Sequence, residues 1–136
     1  MTNKPDFYKE LMRRVNDPEL FVGRCGIQIT EISDGFAQGQ MEFHLATQNL
    51  LGGLHGGALS TLADAVAGMS VSGLGHGSRV TVHNTMEYLR PSKPGTIYCE
   101  ARVRKNGRHI VVSEATVTDS DGREVAIGIF SFYIAD

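Results

Sequence analysis

Several things that whole classes of protein depend on are missing from this chain. No run reaches the roughly 18 apolar residues of a membrane span. The opening MTNKPDFYKELMRRV carries charges throughout and lacks the apolar core of a secretory leader. Cysteine is nearly absent. Cys25 and Cys99 stand alone, without CxxC or zinc spacing, and read as reduced strand residues of a cytosolic protein. His44, His76, His83 and His109 show no metal spacing with one another, so they read as surface or core side chains. Neither a GxGxxG fingerprint nor a P-loop is present. The net charge of −2 gives no general case for nucleic acid as a partner. No strand–helix–strand repeat appears, which argues against a doubly wound parallel sheet. There is no internal repeat, linker or low-complexity segment.

What is there is ordinary globular material. With 136 residues, 41% hydrophobic and 21% charged, the chain reads as one soluble domain over 1–136, its first 20 residues a helical segment. Residues 5–16 predict a short amphipathic helix with Phe7, Leu11 and Val15 on one face, stopped by Asn16-Asp17-Pro18. Ile27, Ile29 and Ile32 lie in a strand pattern ending at Asp34-Gly35, and Phe36 to Leu45 follows as its hairpin partner. A long helix is predicted from about His55–Gly57 to Ser72, closed by Gly73 and Gly75. Strands follow at 80–89, 96–105, 109–118 and 124–134, with Asn106-Gly107 and Asp121-Gly122 as tight hairpin turns. The fold class is α+β: one long, mostly apolar helix covered by a largely antiparallel sheet that wraps around it.

The stretch from Asn49 to Gly73, NLLGGLHGGALSTLADAVAGMSVSG, concentrates the chemistry. It holds one carboxylate, Asp64, in an otherwise apolar helix, where a charge is costly to bury. His55-Gly56-Gly57 brings bare backbone to the helix start, where free N–H groups and the helix dipole favour anions or developing oxyanions. A base and an oxyanion site are the minimum for acyl-group chemistry. Asp64 lies seven residues after Gly57, close to two full turns, so the two share a face about 10 Å apart along the axis. One helix does not easily place both around one carbonyl carbon. A two-fold dimer does, if one subunit gives Asp64 and the other gives Asn49 and Gly57. The bland alternatives are a buried acid satisfied by a partner, a histidine that caps the helix, and an asparagine that holds a turn.

Arg90, Lys93, Arg102, Arg104, Lys105 and Arg108 fall in a segment whose only acid is Glu100. This local basic zone is either a solvated hairpin surface or a dock for phosphates.

Asn49, then Gly52-Gly53-Leu54-His55-Gly56-Gly57-Ala58 and Leu62-Ala63-Asp64, resembles the hotdog-fold acyl-CoA thioesterases, in particular the phenylacetate-pathway and thioesterase-superfamily-member-2 branch. Tyr88-Leu89-Arg90-Pro91 with Gly95, and Gly107-Arg108, match as well, and the resemblance spans roughly 23–134. It implies a long helix wrapped by a curved antiparallel sheet, and a homodimer, often a dimer of dimers, with sites at the dimer interface. It places the general base or nucleophile on Asp64 and the oxyanion donor on Gly57 or Gly56. Asn49 and His55 take positions that orient the thioester and water, and Thr81 that of an assisting hydroxyl, where relatives often carry Ser. The substrate it implies is an acyl-CoA, with no metal or redox cofactor. Arg90, Lys93, Arg104, Lys105 and Arg108 are then candidates for the phosphates of coenzyme A. Leu50, Leu51, Leu54, Val66 and Met69 are candidates for the acyl pocket, or equally for core or dimer packing. A hotdog hydratase or dehydratase and a non-catalytic acyl-CoA-binding module are the competing readings.

Overall fold

In the computed structural model of the protein, which describes residues 4–135, the first element is α1 (Lys4–Val15). Residues 1–3 and 136 of the expected domain lie outside the described residues. Tyr8, Leu11, Met12 and Val15 of α1 pack against the core. The inward stripe therefore differs from the expected Phe7, Leu11 and Val15. Steps of three and four follow a 3.6-residue turn, whereas steps of four alone drift off the face. Phe7 stands beside the stripe with its ring 5.7 Å from that of Tyr8.

A one-turn helix, α2 (Phe21–Arg24), was not expected, and Cys25 closes it rather than joining a strand. Cys99 does lie in a strand, where burial pushes its thiol well above the usual range and leaves it inert. Six strands follow: β1 (Ile27–Ser33), β2 (Phe36–Glu42), β3 (Ser78–Tyr88), β4 (Thr96–Asn106), β5 (Ile110–Thr118) and β6 (Glu124–Ala135). All pair antiparallel, in the order β1-β2-β4-β5-β6-β3. The long helix α3 (Gly56–Ser72) lies across this sheet, and the core fills the space between them. This is the hotdog arrangement that the sequence led us to expect.

The sheet curves because its strands carry bulges. In β1 the register shifts between Ile29 and Glu31, and this explains the three-residue step from Ile29 to Ile32: both are buried, at 1% and 4% exposure. Further shifts fall between Thr81 and His83 and between Val103 and Lys105. The β4–β5 connection is wider than the tight Asn-Gly turn expected. Gly107, Arg108 and His109 all lie between the strands, Gly107 keeps an ordinary φ, and its N–H donates to the Ile110 carbonyl at 3.1 Å.

The helix sits close to β2 because Gly39 has no side chain. A Cβ there would stand 2.8 Å from Val66 Cγ2 and 3.1 Å from Ile29 Cδ1. Gly39→Ala is expected to destabilise the fold by about 1–3 kcal/mol through overpacking. Urea denaturation measures this, and an unchanged midpoint would contradict it.

The β5–β6 turn is organised by Asp119, which is 1% exposed. Its carboxylate accepts from the N–H groups of Asp121 and Arg123 and from Arg123 Nε, at 2.9, 3.1 and 3.2 Å. Burial alone would push its pKa up. The Arg123 and Asp121 N–H groups and the Arg123 guanidinium more than offset that and hold it below the usual carboxylate range. A depressed carboxylate stabilises the fold above its unfolded pKa, near 3.9, and that contribution is lost as pH falls through the folded value. Asp119→Asn should therefore melt below wild type at pH 7, with the gap closing in acid. Thermal melts at both pH values test this, and a gap independent of pH would contradict it.

The two edge strands are treated differently. At β1, Asn16 mimics a paired strand residue: its Nδ2 donates to the Ile29 carbonyl and its Oδ1 accepts from the Ile29 N–H, both at 2.8 Å. β3 has no such cover among the described residues. Its 11 residues are exposed along nearly their whole length, with Val80 53% and Val82 54% exposed.

Candidate active site

The loop ahead of α3 is built around Asn49. Its Oδ1 accepts from the N–H groups of Leu51 and Gly53 at 2.9 and 3.1 Å. Its own N–H donates to the Gly53 carbonyl at 2.7 Å. Two backbone donors on one side-chain atom identify that atom as oxygen. The amide Nδ2 then has no hydrogen-bond partner among the described residues and is an available donor. Gln48 and Leu54 bridge the base of the loop, and the His55 N–H donates to the Thr47 carbonyl at 2.7 Å. Asn49 therefore does hold the turn through its side chain.

His55 is the N-cap of α3, and its Nδ1 accepts from the Gly57 N–H at 2.8 Å. Two consequences follow. The Gly57 N–H is engaged, whereas the Gly56 N–H has no partner among the described residues. A neutral imidazole accepting at Nδ1 carries its proton on Nε2, so the outward nitrogen of His55 is a donor and not a base.

Asp64 lies two turns along α3, partly buried. Thr81 of β3 donates its Oγ1 proton to Asp64 Oδ1 at 2.9 Å. Thr81 and Asp64 are thus brought together, and Oδ2 is left without a partner among the described residues. Sequence reasoning missed the residue beside them. Arg79, two positions before Thr81 on β3, lays its guanidinium over α3 and donates from Nε to Ser72 Oγ at 2.9 Å. It also stands over the Phe132 ring, 5.4 Å from the centroid.

The expected site residues divide into separate places. Asn49 and Gly56 line a groove of about 420 Å³ whose far wall is Tyr88, Leu89, Arg90 and Ser92. Tyr88 covers Gly56 closely, with ring carbons 3.5 Å from where a Cβ would be. The Ser92 hydroxyl is buried there without a partner among the described residues, an open polar group in the wall that the sequence did not announce. His55 and Gly57 line a second hollow of about 310 Å³ with His44 and Thr61. Asp64 lines neither.

The basic zone also divides. Arg90 lies in the groove at the helix start and donates from Nη1 to the Glu124 carbonyl at 2.5 Å. Lys93 is nearby and pairs with Asp121 at 3.1 Å. Arg104, Lys105 and Arg108 are at the other end of β4, next to Asn106, which hydrogen-bonds His76 beyond the helix C-terminus at 2.8 Å. Arg104 pairs there with Glu114 at 3.7 Å. An 11-residue strand spans about 35 Å, so neighbours in sequence become opposite ends of the sheet. Of the acyl-pocket candidates, Leu54, Val66 and Met69 are core residues at 7%, 0% and 8% exposure, whereas Leu50 and Leu51 stand in solvent. No helix among the described residues is long and apolar enough to cross a membrane.

Comparison with known proteins bears on the fold and the family. The chain is similar to the E. coli PaaI protein from the phenylacetic acid degradation operon, with 25% identity, a TM-score of 0.86, and coverage of 98% of this chain and 94% of that one. It is similar to a hypothetical thioesterase of Streptococcus pneumoniae solved with coenzyme A, with 26% identity, a TM-score of 0.76, and coverage of 80% and 85%. A conserved protein of Pseudomonas aeruginosa, PA5202, matches with 30% identity, a TM-score of 0.80, and coverage of 86% and 94%. The thioesterase superfamily profile matches residues 51–126, from the glycine-rich loop through α3 and into β6. The chain belongs to the thioesterase superfamily.

Proposed function

We propose that the protein is an acyl-CoA thioester hydrolase, releasing free acid and coenzyme A from a small, medium-chain or aromatic acyl-CoA. It acts in the cytosol as a homodimer that pairs into a dimer of dimers. One observation carries the reading. Asp64, held at Oδ1 by Thr81, presents its free oxygen beside the bare edge of β3, while the open donors stand two turns away at the helix start. Neither half is sufficient alone. A second copy paired along β3 would bring its Asp64 to these donors, and it would cover an exposed apolar edge that otherwise invites uncontrolled pairing.

In such a site the thioester carbonyl oxygen would rest on the Gly56 N–H. This donor is preferred to Gly57, whose N–H already serves His55. The Asn49 amide orients the thioester in that groove, whereas His55, which lines the neighbouring hollow, supports the site through the helix start that it caps. Asp64 takes the proton of a water that attacks the carbonyl carbon, or attacks it directly through Oδ2 to give a mixed anhydride that water then opens. The C–S bond breaks, and coenzyme A leaves as the thiolate or thiol. The Gly56 bond strengthens as charge gathers on oxygen, and that differential lowers the barrier. Arg90 in the groove, with Lys93 beside it, is placed for the phosphates of coenzyme A from the same subunit. Arg104, Lys105 and Arg108 would serve from the other. No metal or redox cofactor takes part. The likeness to a protein solved with coenzyme A supports this substrate class.

The test is product identity with an α,β-unsaturated acyl-CoA, read by mass spectrometry. The proposal expects free acid and free thiol. A hydrated acyl-CoA would assign a hydratase, and unchanged but bound ligand would assign a binding module. Either outcome overturns the proposal.

A further inference from the structure

We propose that Ser92 is a substrate-binding residue, its hydroxyl left unpaired to take an amide of the pantetheine arm of an acyl-CoA, and that this readiness is kept at a cost in stability. The inference rests on the acyl-CoA reading for the ligand it names. Its physical basis begins in the sequence. Ser92 stands in Arg90-Pro91-Ser92-Lys93-Pro94, in the connection between β3 and β4. A serine in a turn ordinarily bonds the backbone N–H two residues further on. Here that residue is Pro94, which has no N–H. The sequence itself removes the usual local partner.

No distant group replaces it. Ser92 Oγ is buried without a hydrogen-bond partner, and it is the one such side-chain atom among the described residues. Loose backbone does not account for this, because the segment is pinned. The Leu89 N–H donates to the Val125 carbonyl at 2.8 Å, Arg90 Nη1 donates to the Glu124 carbonyl at 2.5 Å, and Lys93 pairs with Asp121 at 3.1 Å. Pro91 and Pro94 fix their own φ and restrict the residues before them to extended backbone. A buried hydroxyl without a partner costs stability, and in a fixed segment that cost points to a ligand.

The ligand follows from the surroundings. Ser92 is half-buried and lines the groove of about 420 Å³ that also holds Asn49 and Gly56. A step between staggered rotamers about its Cα–Cβ bond turns the hydroxyl from the wall into the groove. The wall around it is largely apolar, with Leu59, Tyr88, Leu89 and Pro91. In the reading above, Asn49 and Gly56 take the thioester, and Arg90 and Lys93 take the phosphates. Between these two groups an acyl-CoA carries pantetheine, a mostly apolar arm interrupted by amides. One hydroxyl in an apolar wall suits it, since it can donate to an amide carbonyl or accept from an amide N–H. A phosphate would call instead for cations or a cluster of N–H groups.

The test measures binding and stability without turnover. Wild type and Ser92→Ala are titrated with coenzyme A, with pantetheine, and with the adenosine bisphosphate half of coenzyme A. The unliganded proteins are melted alongside. Ser92→Ala should bind coenzyme A and pantetheine about tenfold more weakly, the scale of one hydrogen bond lost to a neutral partner, and should bind the adenosine bisphosphate as wild type does. Its unliganded melting temperature should rise by about 3 °C, because a buried unpaired hydroxyl is gone. Three results would overturn the proposal: unchanged affinity for pantetheine, equal weakening toward all three ligands, or a lower melting temperature, which would show that the hydroxyl has a structural partner. Wild type that does not bind pantetheine at all would overturn it too. The hydrolase reading fails separately. Weakened pantetheine binding by Ser92→Ala in a protein that hydrolyses no acyl-CoA would refute hydrolysis and leave the Ser92 contact standing, whereas hydrolysis with unchanged binding would refute the contact alone.

Discussion

Asp64→Asn is expected to lower thioester hydrolysis by about 10²–10⁴-fold, the usual contribution of a positioned general base, while the protein folds and assembles as before. The substitution keeps the shape, and the amide oxygen still accepts the Thr81 hydroxyl proton that now reaches Oδ1 at 2.9 Å. What it removes is the negative charge and the lone pair on Oδ2. No other group in α3 can replace them, because the rest of the helix is apolar or hydroxylic. Neutralising a partly buried charge also lifts a desolvation cost, so the melting temperature should equal or exceed that of wild type. Asp64→Ala should lose as much activity and in addition leave Thr81 without its acceptor. Initial rates of thiol release, with melting curves alongside, measure both effects. Near-wild-type turnover in the asparagine variant would remove Asp64 from the mechanism.

The second large effect is a gain. Subunits carrying Asp64→Ala and subunits carrying Asn49→Ala should each be nearly inactive alone. Mixed by denaturation and refolding, they should recover about a quarter of wild-type activity. The figure follows from two-fold symmetry: half of randomly formed dimers are mixed, and each mixed dimer holds one intact site of two. The expectation rests on the separation seen within one chain, where Asn49 and Gly56 line a groove that Asp64 does not reach. Asn49 also organises its own loop through two N–H bonds, so Asn49→Asp, which keeps the accepting oxygen, serves as a second variant if the alanine form misfolds. Mixed dimers verified by mass and still inactive would show that each subunit holds a complete site.

Much of this was legible in the sequence, for identifiable physical reasons. Helix α3 announced itself through apolar spacing between a glycine-rich entry and a glycine exit, and it runs over Gly56–Ser72. The strands announced themselves by period and by turn residues. Hidden were the features that depend on two distant segments meeting. Arg79 looks like an ordinary strand arginine until Gly68 is found beneath it, 11 residues earlier in the chain. Asn16 looks like a helix stop until its side chain is seen paired with Ile29. The bulge after Ile29 resolves a strand spacing that strict alternation does not explain. The basic zone misled because closeness along a strand is not closeness in space. His55 falls between these cases. Capping was the expected habit of a histidine before a helix, and it turns Nε2 outward as a donor while consuming one of the two glycine N–H groups.

The measurement that bears most directly on the central claim is thiol release from a panel of short, medium, branched and aromatic acyl-CoAs, with wild type and Asp64→Ala side by side. The account predicts catalytic release from at least one acyl class by wild type, lost in the variant, with the ranking of acyl groups naming the substrate. Tight binding of acyl-CoA by wild type with no release from any member would contradict it and make the protein a binding module.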